Sequence, residues 1–300
     1  MTSLAEHVQT VALRALGADP RRRLQGYQPA LRGLRAAYQA STAPDFADPA
    51  TRAAYVLAYH PHHCVLSAVA IDEAGEARLG IHGRRHVRVV VLGAGPAPEL
   101  VALAWRLRWR GVRIEAHLVD REPGWVNARK TTLDRTLEGW GVELDVHDHT
   151  AHLDTPEGRS VAAALVREAD LVIVQTLLSE LPTPDGRGSL LDALTDSMGS
   201  RTRLLVVDFD RLPRTRDALR RLDTAPDVVT LCGSRSDVPA APAVRLVAEH
   251  LFADDDLWPR QVLRFAYRLV ARTDPAATPS ARLARRAKCR AHAGHVAARR

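Results

Sequence analysis

Val89-Val90-Val91-Leu92-Gly93-Ala94-Gly95-Pro96-Ala97-Pro98-Glu99-Leu100 is the stretch whose reading decides the fold. Four consecutive apolar residues, Val89 to Leu92, read as a strand buried on both faces, as parallel strands are. The glycine-rich turn then feeds a helix beginning near Pro98, a residue preset for a first helical turn. Glycines there let a ligand approach the backbone, and the helix start favours an anionic or strongly polar group. The next apolar strand, Ile114 to Val119, closes on Asp120, 25 residues beyond Gly95. A carboxylate at that place can accept ribose hydroxyls. These features together predict a nucleotide-type cofactor.

Strands and helices alternate outward from this unit. Val87–Leu92, Ile114–Asp120, Val142–Val146, Leu171–Val174, Leu204–Phe209 and Val228–Cys232 read as strands. Val262–Val270 is a seventh candidate, although Leu263, Ala266, Tyr267 and Val270 also fit a helix. Helices are predicted at Glu99–Arg110, Trp125–Glu138, Thr155 to about Glu168, Ser189–Met198, Thr215–Leu222 and Pro242–Leu251. Short buried strands alternating with helices define an α/β fold, a Rossmann-like, doubly wound and mainly parallel sheet. The first 80 residues are helical instead. Leu4, Val8, Val11, Ala12 and Leu16 recur at helical spacing, as do Leu31, Leu34 and Tyr38. Asp48-Pro49 is a helix start, with a capping carboxylate ahead of proline. The expected organisation is an N-terminal helical cap for substrate recognition over residues 1–85. A catalytic, cofactor-binding domain follows over 86–274, then a basic tail over 275–300.

The charge belongs mainly to that tail. Arg282, Arg285, Arg286, Lys288, Arg290, Arg299 and Arg300 stand there without an acid. Setting those seven aside from the 42 basic residues leaves 35, against 35 acidic residues, so the body is formally neutral. Nucleic acid could bind the tail but not a neutral body, so it is not the favoured partner. No apolar run is long enough to span a bilayer, and the first residues lack a signal-peptide pattern. Cys64, Cys232 and Cys289 are too scattered for a disulfide framework, which fits a cytoplasmic protein.

In a doubly wound sheet, ligands bind beyond the carboxyl ends of the strands, where strand order reverses. Polar groups predicted there are Gly93 to Pro98, Asp120, His147 to His149, Gln175 to Glu180 and Asp208 to Asp210. The turn departs from a dinucleotide fingerprint, which wants a third glycine where Pro98 stands. It resembles the first motif of the class I S-adenosylmethionine-dependent methyltransferases. Three stretches narrow the resemblance: Arg52-Ala53-Ala54-Tyr55-Val56-Leu57-Ala58-Tyr59-His60-Pro61, then Leu92 to Leu100, then Val119-Asp120-Arg121 with Trp125. Together they resemble a Gly-Pro-turn subgroup of that family across roughly residues 50–210. The resemblance implies S-adenosylmethionine as cofactor. Gly93 and Gly95 would line its methionine and ribose, and Asp120 would take both ribose hydroxyls. Trp125 would lie against the adenine and Asp148 would hold its amino group.

For the chemistry, Gln175 and Glu180 follow the fourth strand, where substrate-facing groups usually sit. Gln175 is counted with both cofactor and acceptor, and Glu180 could instead pair locally. The segment lacks the Asn-Pro-Pro-Tyr loop that serves amino-group methylation of bases. His60 opens His60-Pro61-His62-His63-Cys64, which reads either as a solvated helix end or as a source of a general base. The spacing matches no zinc pattern, so no metal site is expected. Glu99 either complements its helix's N-terminus or reaches a cofactor ammonium group. The leading expectation is methyl transfer to a small-molecule acceptor in biosynthesis of a specialised kind. The alternatives are an RNA-modifying or ribosome-assembly methyltransferase, a non-catalytic nucleotide-binding protein, and an NAD-dependent oxidoreductase.

Overall fold

The computed structural model describes residues 3–40, 42–181, 184–239, 242–258 and 262–273. The basic tail and Cys289 lie outside the described residues. Six helices precede the first strand: α1 (Leu4–Arg14), α2 (Pro20–Gly26), α3 (Gln28–Ala40), α4 (Pro49–Ala58), α5 (His60–Ala74) and α6 (Glu76–Leu79). Alternation then begins with β1 (His86–Leu92), α7 (Pro98–Leu107), β2 (Val112–Asp120), α8 (Trp125–Leu137), β3 (Val142–Thr150) and α9 (Pro156–Glu168). It continues through β4 (Leu171–Gln175), α10 (Leu177–Glu180), α11 (Pro184–Ser197), β5 (Arg203–Asp208) and α12 (Pro213–Thr224). β6 (Val228–Pro239), α13 (Arg245–His250) and β7 (Val262–Arg272) complete the described chain.

The seven strands form one sheet in the order β3-β2-β1-β4-β5-β7-β6, parallel except for β7, which runs antiparallel to β5 and β6. The chain leaves β1 toward β2 and β3 and later returns to place β4 on its other side. That reversal opens the crevice between the ends of β1 and β4. Alternation along the strands builds two cores. Val87, Val89 and Val91 face α5 and α7, and Val90 and Leu92 face α9, α11 and α12. Helix α5, although N-terminal in sequence, thus belongs to the layer that covers the sheet. A third cluster gathers Leu24, Leu31, Leu34, Ala54, Leu57 and Trp125, mostly from α2 to α4, against Val247 and Phe252.

The expected helix starts are built as read. Asp48 accepts from the N–H of Thr51 at 2.9 Å, and Thr155 from that of Gly158 at 3.2 Å. Several boundaries moved. Helix α7 stops at Leu107 rather than Arg110, because Arg108 turns extended and Trp109 takes a left-handed φ of 64°. Strands β3 and β6 run well past Val146 and Cys232. Their polar continuations are paired through Thr150 and Pro239, one on an edge strand and the other at the sheet's opposite end. The segment Val262–Val270 is a strand, not a helix. Among the described residues no helix is long and apolar enough to cross a membrane.

Candidate functional site

The turn after β1 closes on itself. Gly93 and Gly95 have φ of +67° and +47°, which L side chains rarely adopt. A Cβ on Gly93 would stand 2.9 Å from Leu177 Cδ1, so the Leu177 side chain would have to shift to admit one. The amides of Gly93 and Ala94 donate to Val119 O, and that of Ala97 donates to Ala94 O. Gly95 N–H donates to Asp120 Oδ2 at 2.7 Å. Pro96 and Pro98 have no N–H. From Gly93 to Pro98 no backbone donor is left over.

Asp120 faces this turn from the end of β2. Its Oδ1 accepts from Glu122 N at 2.9 Å, so each oxygen takes one backbone donor and keeps a lone pair for another. Burial raises its pKa, against those two bonds and the nearby Arg129 and Arg121, which lower it. Beneath the turn Glu99 is 1% exposed, and its Oε2 has no partner. Burial pushes its pKa up to about 8, with Asp120 adding to the rise. Asp208, at the end of β5, is raised to about 6 by burial. It accepts from Ser179 N at 2.9 Å and Phe209 N at 2.7 Å, which anchors the start of α10. Glu180 is open to solvent at the cleft mouth yet crowded by protein. That crowding raises its pKa, with Asp208 and then Asp120 adding to it.

Gly93, Gly95, Asp120, Trp125, Gln175 and Glu180 line one cleft at the strand ends. Trp125 stands beside Gly95 and packs on Phe46 and Tyr55, with ring centroids 5.2 and 5.7 Å away. Gln175 is 1% exposed: its Oε1 accepts from Ser67, and its Nε2 donates to His63 O at 3.0 Å. It therefore locks α5 to the cleft. Tyr38 Oη donates to Glu180 Oε1 at 3.4 Å, and Tyr59 stacks on Tyr55, so the mouth has an aromatic wall. The cavity measures about 90 Å³, below the roughly 300–1,000 Å³ of pockets that enclose a drug-sized ligand.

Two sequence candidates fall elsewhere. His60 is fully buried at the start of α5, neither ring nitrogen has a partner, and it does not line the cleft. Burial drives its pKa down to about 3, so it is a core imidazole and not a proton acceptor for the cleft. His62 and His63 are buried too, so this segment is no solvated helix end; Tyr55 Oη lies 2.9 Å from His63 Nδ1. Asp148 is inside β3, not at its end, and pairs with Arg129. Because β3 runs on to Thr150, the cleft is bordered instead by Ala151, Leu153 and Asp154. Arg129 itself was missed. It is 3% exposed and also donates to Gly95 O at 2.8 Å, which props the turn from below. The available signal was its position four residues after Trp125, on the same face of α8.

No protein-family model matches the chain. No curated protein matches it either. Among solved structures, a candidate class I S-adenosylmethionine-dependent methyltransferase from Listeria monocytogenes aligns with TM-score 0.51 at 12% identity, over 93% of this chain and 91% of that one. A precorrin-6y C5,15-methyltransferase from Geobacter metallireducens is 13% identical with TM-score 0.40, covering 70% of this chain and 86% of its own. A TehB-like methyltransferase from Corynebacterium glutamicum has the same identity and TM-score, covering 69% and 88%. The first likeness shows the fold, a Rossmann-like sheet of the class I methyltransferase type.

Proposed function

We propose that the protein is an S-adenosylmethionine-dependent methyltransferase acting on a small-molecule acceptor. One observation carries the reading: the turn that would cradle a pyrophosphate has every N–H from Gly93 to Pro98 committed or missing, and the Asp120 carboxylate stands against it. A dinucleotide would meet Asp120 and Glu180 in the cleft, with no free N–H from Gly93 to Pro98 to hold its phosphates. A cationic adenosyl ligand is suited to the same place, and the unpartnered Glu99 Oε2 beneath the turn fits its positive charge. An NAD-dependent reading finds no such support.

When bound, S-adenosylmethionine supplies an electrophilic methyl group to an in-line nucleophile. Asp120 would hold ribose hydroxyls with the lone pairs its backbone contacts leave, while Trp125, Ala151 and Leu153 offer an apolar wall to the adenine. Binding would also widen the narrow cleft, moving Leu177 off Gly93. Glu180, steadied by Tyr38 and raised toward neutrality, would accept a proton from the acceptor; Gln175 would position it with its remaining N–H. The aromatic wall of Phe46, Tyr55 and Tyr59 would exclude water and receive a small organic acceptor. In this reading α3 and α4, which bring Tyr38 and Tyr55 to the cleft mouth, form the acceptor's cover. The setting is the cytoplasm, where Cys64 and Cys232 would persist as thiols.

Glu99 makes the reading testable by pH. Its carboxyl takes up a proton below about 8 in the folded protein but only below about 4.5 when unfolded. Stability of the free protein therefore falls as pH rises across that interval. A bound cation favours the ionised carboxylate and releases the proton. S-adenosylmethionine affinity should accordingly rise from pH 6 to pH 8, by at most about tenfold per unit for one proton. Calorimetry at pH 7 in buffers of different ionisation enthalpy should show net proton release. Flat affinity with no proton exchanged would refute the part given to Glu99.

A further inference from the structure

A second group of chemistry-bearing side chains lies on the sheet away from the cleft. Alternation puts Glu115 and His117 of β2 on one face, with Asp145, His147 and His149 of β3 beside them. The parallel register sets Glu115 opposite Asp145 and His117 opposite His147. The rings of His117 and His147 stack at 4.8 Å, and one ligand atom each of Glu115, His117 and His147 lies within 4.8 Å of the others. Cluster and cleft occupy different parts of β2: His117 stands three residues before Asp120.

We propose that Glu115, His117 and His147 bind one divalent cation of the zinc class, with water completing its coordination. Two imidazoles and a carboxylate are the donor set that borderline ions such as Zn²⁺ and Co²⁺ prefer over Mg²⁺ or Ca²⁺. With bonds of about 2.0–2.2 Å, ligand atoms around a tetrahedral ion stand about 3.4 Å apart, so small side-chain rotations close the set. His117, 7% exposed, is the most restrained of the three. Its Nδ1 lies 3.0 Å from His149 Nε2. Donation of the Nδ1 proton to His149 leaves a lone pair on Nε2, which lies 3.1 Å from Glu115 Oε1. Metal-bound histidines are commonly oriented by such an outer partner. Glu115 is also approached by His86 at 3.3 Å and Arg88 at 3.3 Å, and Arg88 Nε lies 3.2 Å from His117 Nε2. The ion takes the place of that arginine contact, and Arg88 keeps Glu168 as its partner. The His147 and Asp145 side chains are 44% and 43% exposed, so the ion can enter from solvent. Once bound, it ties edge strand β3 to β2.

The test uses the full chain, stripped with a chelator and titrated with Zn²⁺ and with Co²⁺. One equivalent should bind with micromolar or tighter affinity and raise the Tm, and Co²⁺ should give the visible bands of a nitrogen- and oxygen-ligated site. His147→Ala, at an exposed position, should weaken this binding at least 100-fold without unfolding the protein. His149→Ala, which removes the outer partner, should weaken it about 10–100-fold. His82→Ala, a control away from the cluster, should leave it unchanged. Wild type without a binding event below 100 µM would overturn the proposal. So would Zn²⁺ affinity that survives His147→Ala and His117→Ala alike.

Discussion

Asp120→Ala should weaken S-adenosylmethionine binding about 100-fold or more, measured by calorimetry on protein whose circular dichroism matches wild type. The two ribose hydroxyls would lose a charged acceptor, each such bond being worth about 1.5–3 kcal/mol. A total of about 3 kcal/mol already exceeds a factor of 100. The same substitution frees the N–H groups of Gly95 and Glu122, so some stability should be lost as well. Asp120→Asn separates the two effects. It keeps an oxygen for one of the two N–H groups and removes the charge, so it should lose less stability than alanine and bind about tenfold more weakly. If Asp120→Ala folds and binds as wild type does, Asp120 does not hold the ligand.

Arg129→Met is the second substitution with a large expected effect. Methionine fills most of the volume but can reach neither Gly95 O nor Asp148. Gly95 O then loses its donor under the turn, at a cost of about 1–3 kcal/mol. Asp148 keeps partial access to water, which limits its share. We expect a total loss of about 2–3 kcal/mol, read from the urea midpoint with the slope unchanged. S-adenosylmethionine affinity should fall with it, because the turn loses its prop. Arg129→Lys should not restore both contacts, since a single ammonium cannot reproduce the two-armed reach of a guanidinium. Unchanged stability in Arg129→Met would show that the turn stands without this side chain.

What could be read in the sequence was local. The strand Val89–Leu92, the glycines behind it, Asp120 and the capped starts at Asp48 and Thr155 each depend on residues within one turn or one strand. The structure brings Gly93, Gly95 and Asp120 together at one cleft. Asp148 was misplaced because His147-Asp148-His149-Thr150 is polar enough to read as a loop, whereas an edge strand tolerates polar residues on its open face. The His60 cluster misled for the opposite reason. Histidine type alone carries no information on depth, and here tertiary packing buried three imidazoles under α5's neighbours. Arg129 was signalled only by its spacing from Trp125 on α8, and the Tyr38–Glu180 contact was beyond reach because it joins residues 142 positions apart. The committed amides of the turn also follow from backbone angles that composition does not specify. In the proposed reading those amides, more than the glycine pattern, favour a cationic adenosyl ligand over a dinucleotide.

The most direct measurement is a pair of calorimetric titrations of the wild-type chain at pH 8, one with S-adenosylmethionine and one with NAD⁺. The account predicts saturable, one-to-one binding of S-adenosylmethionine and no heat of binding from NAD⁺. Binding of NAD⁺, with S-adenosylmethionine inert at the same protein concentration, would contradict it.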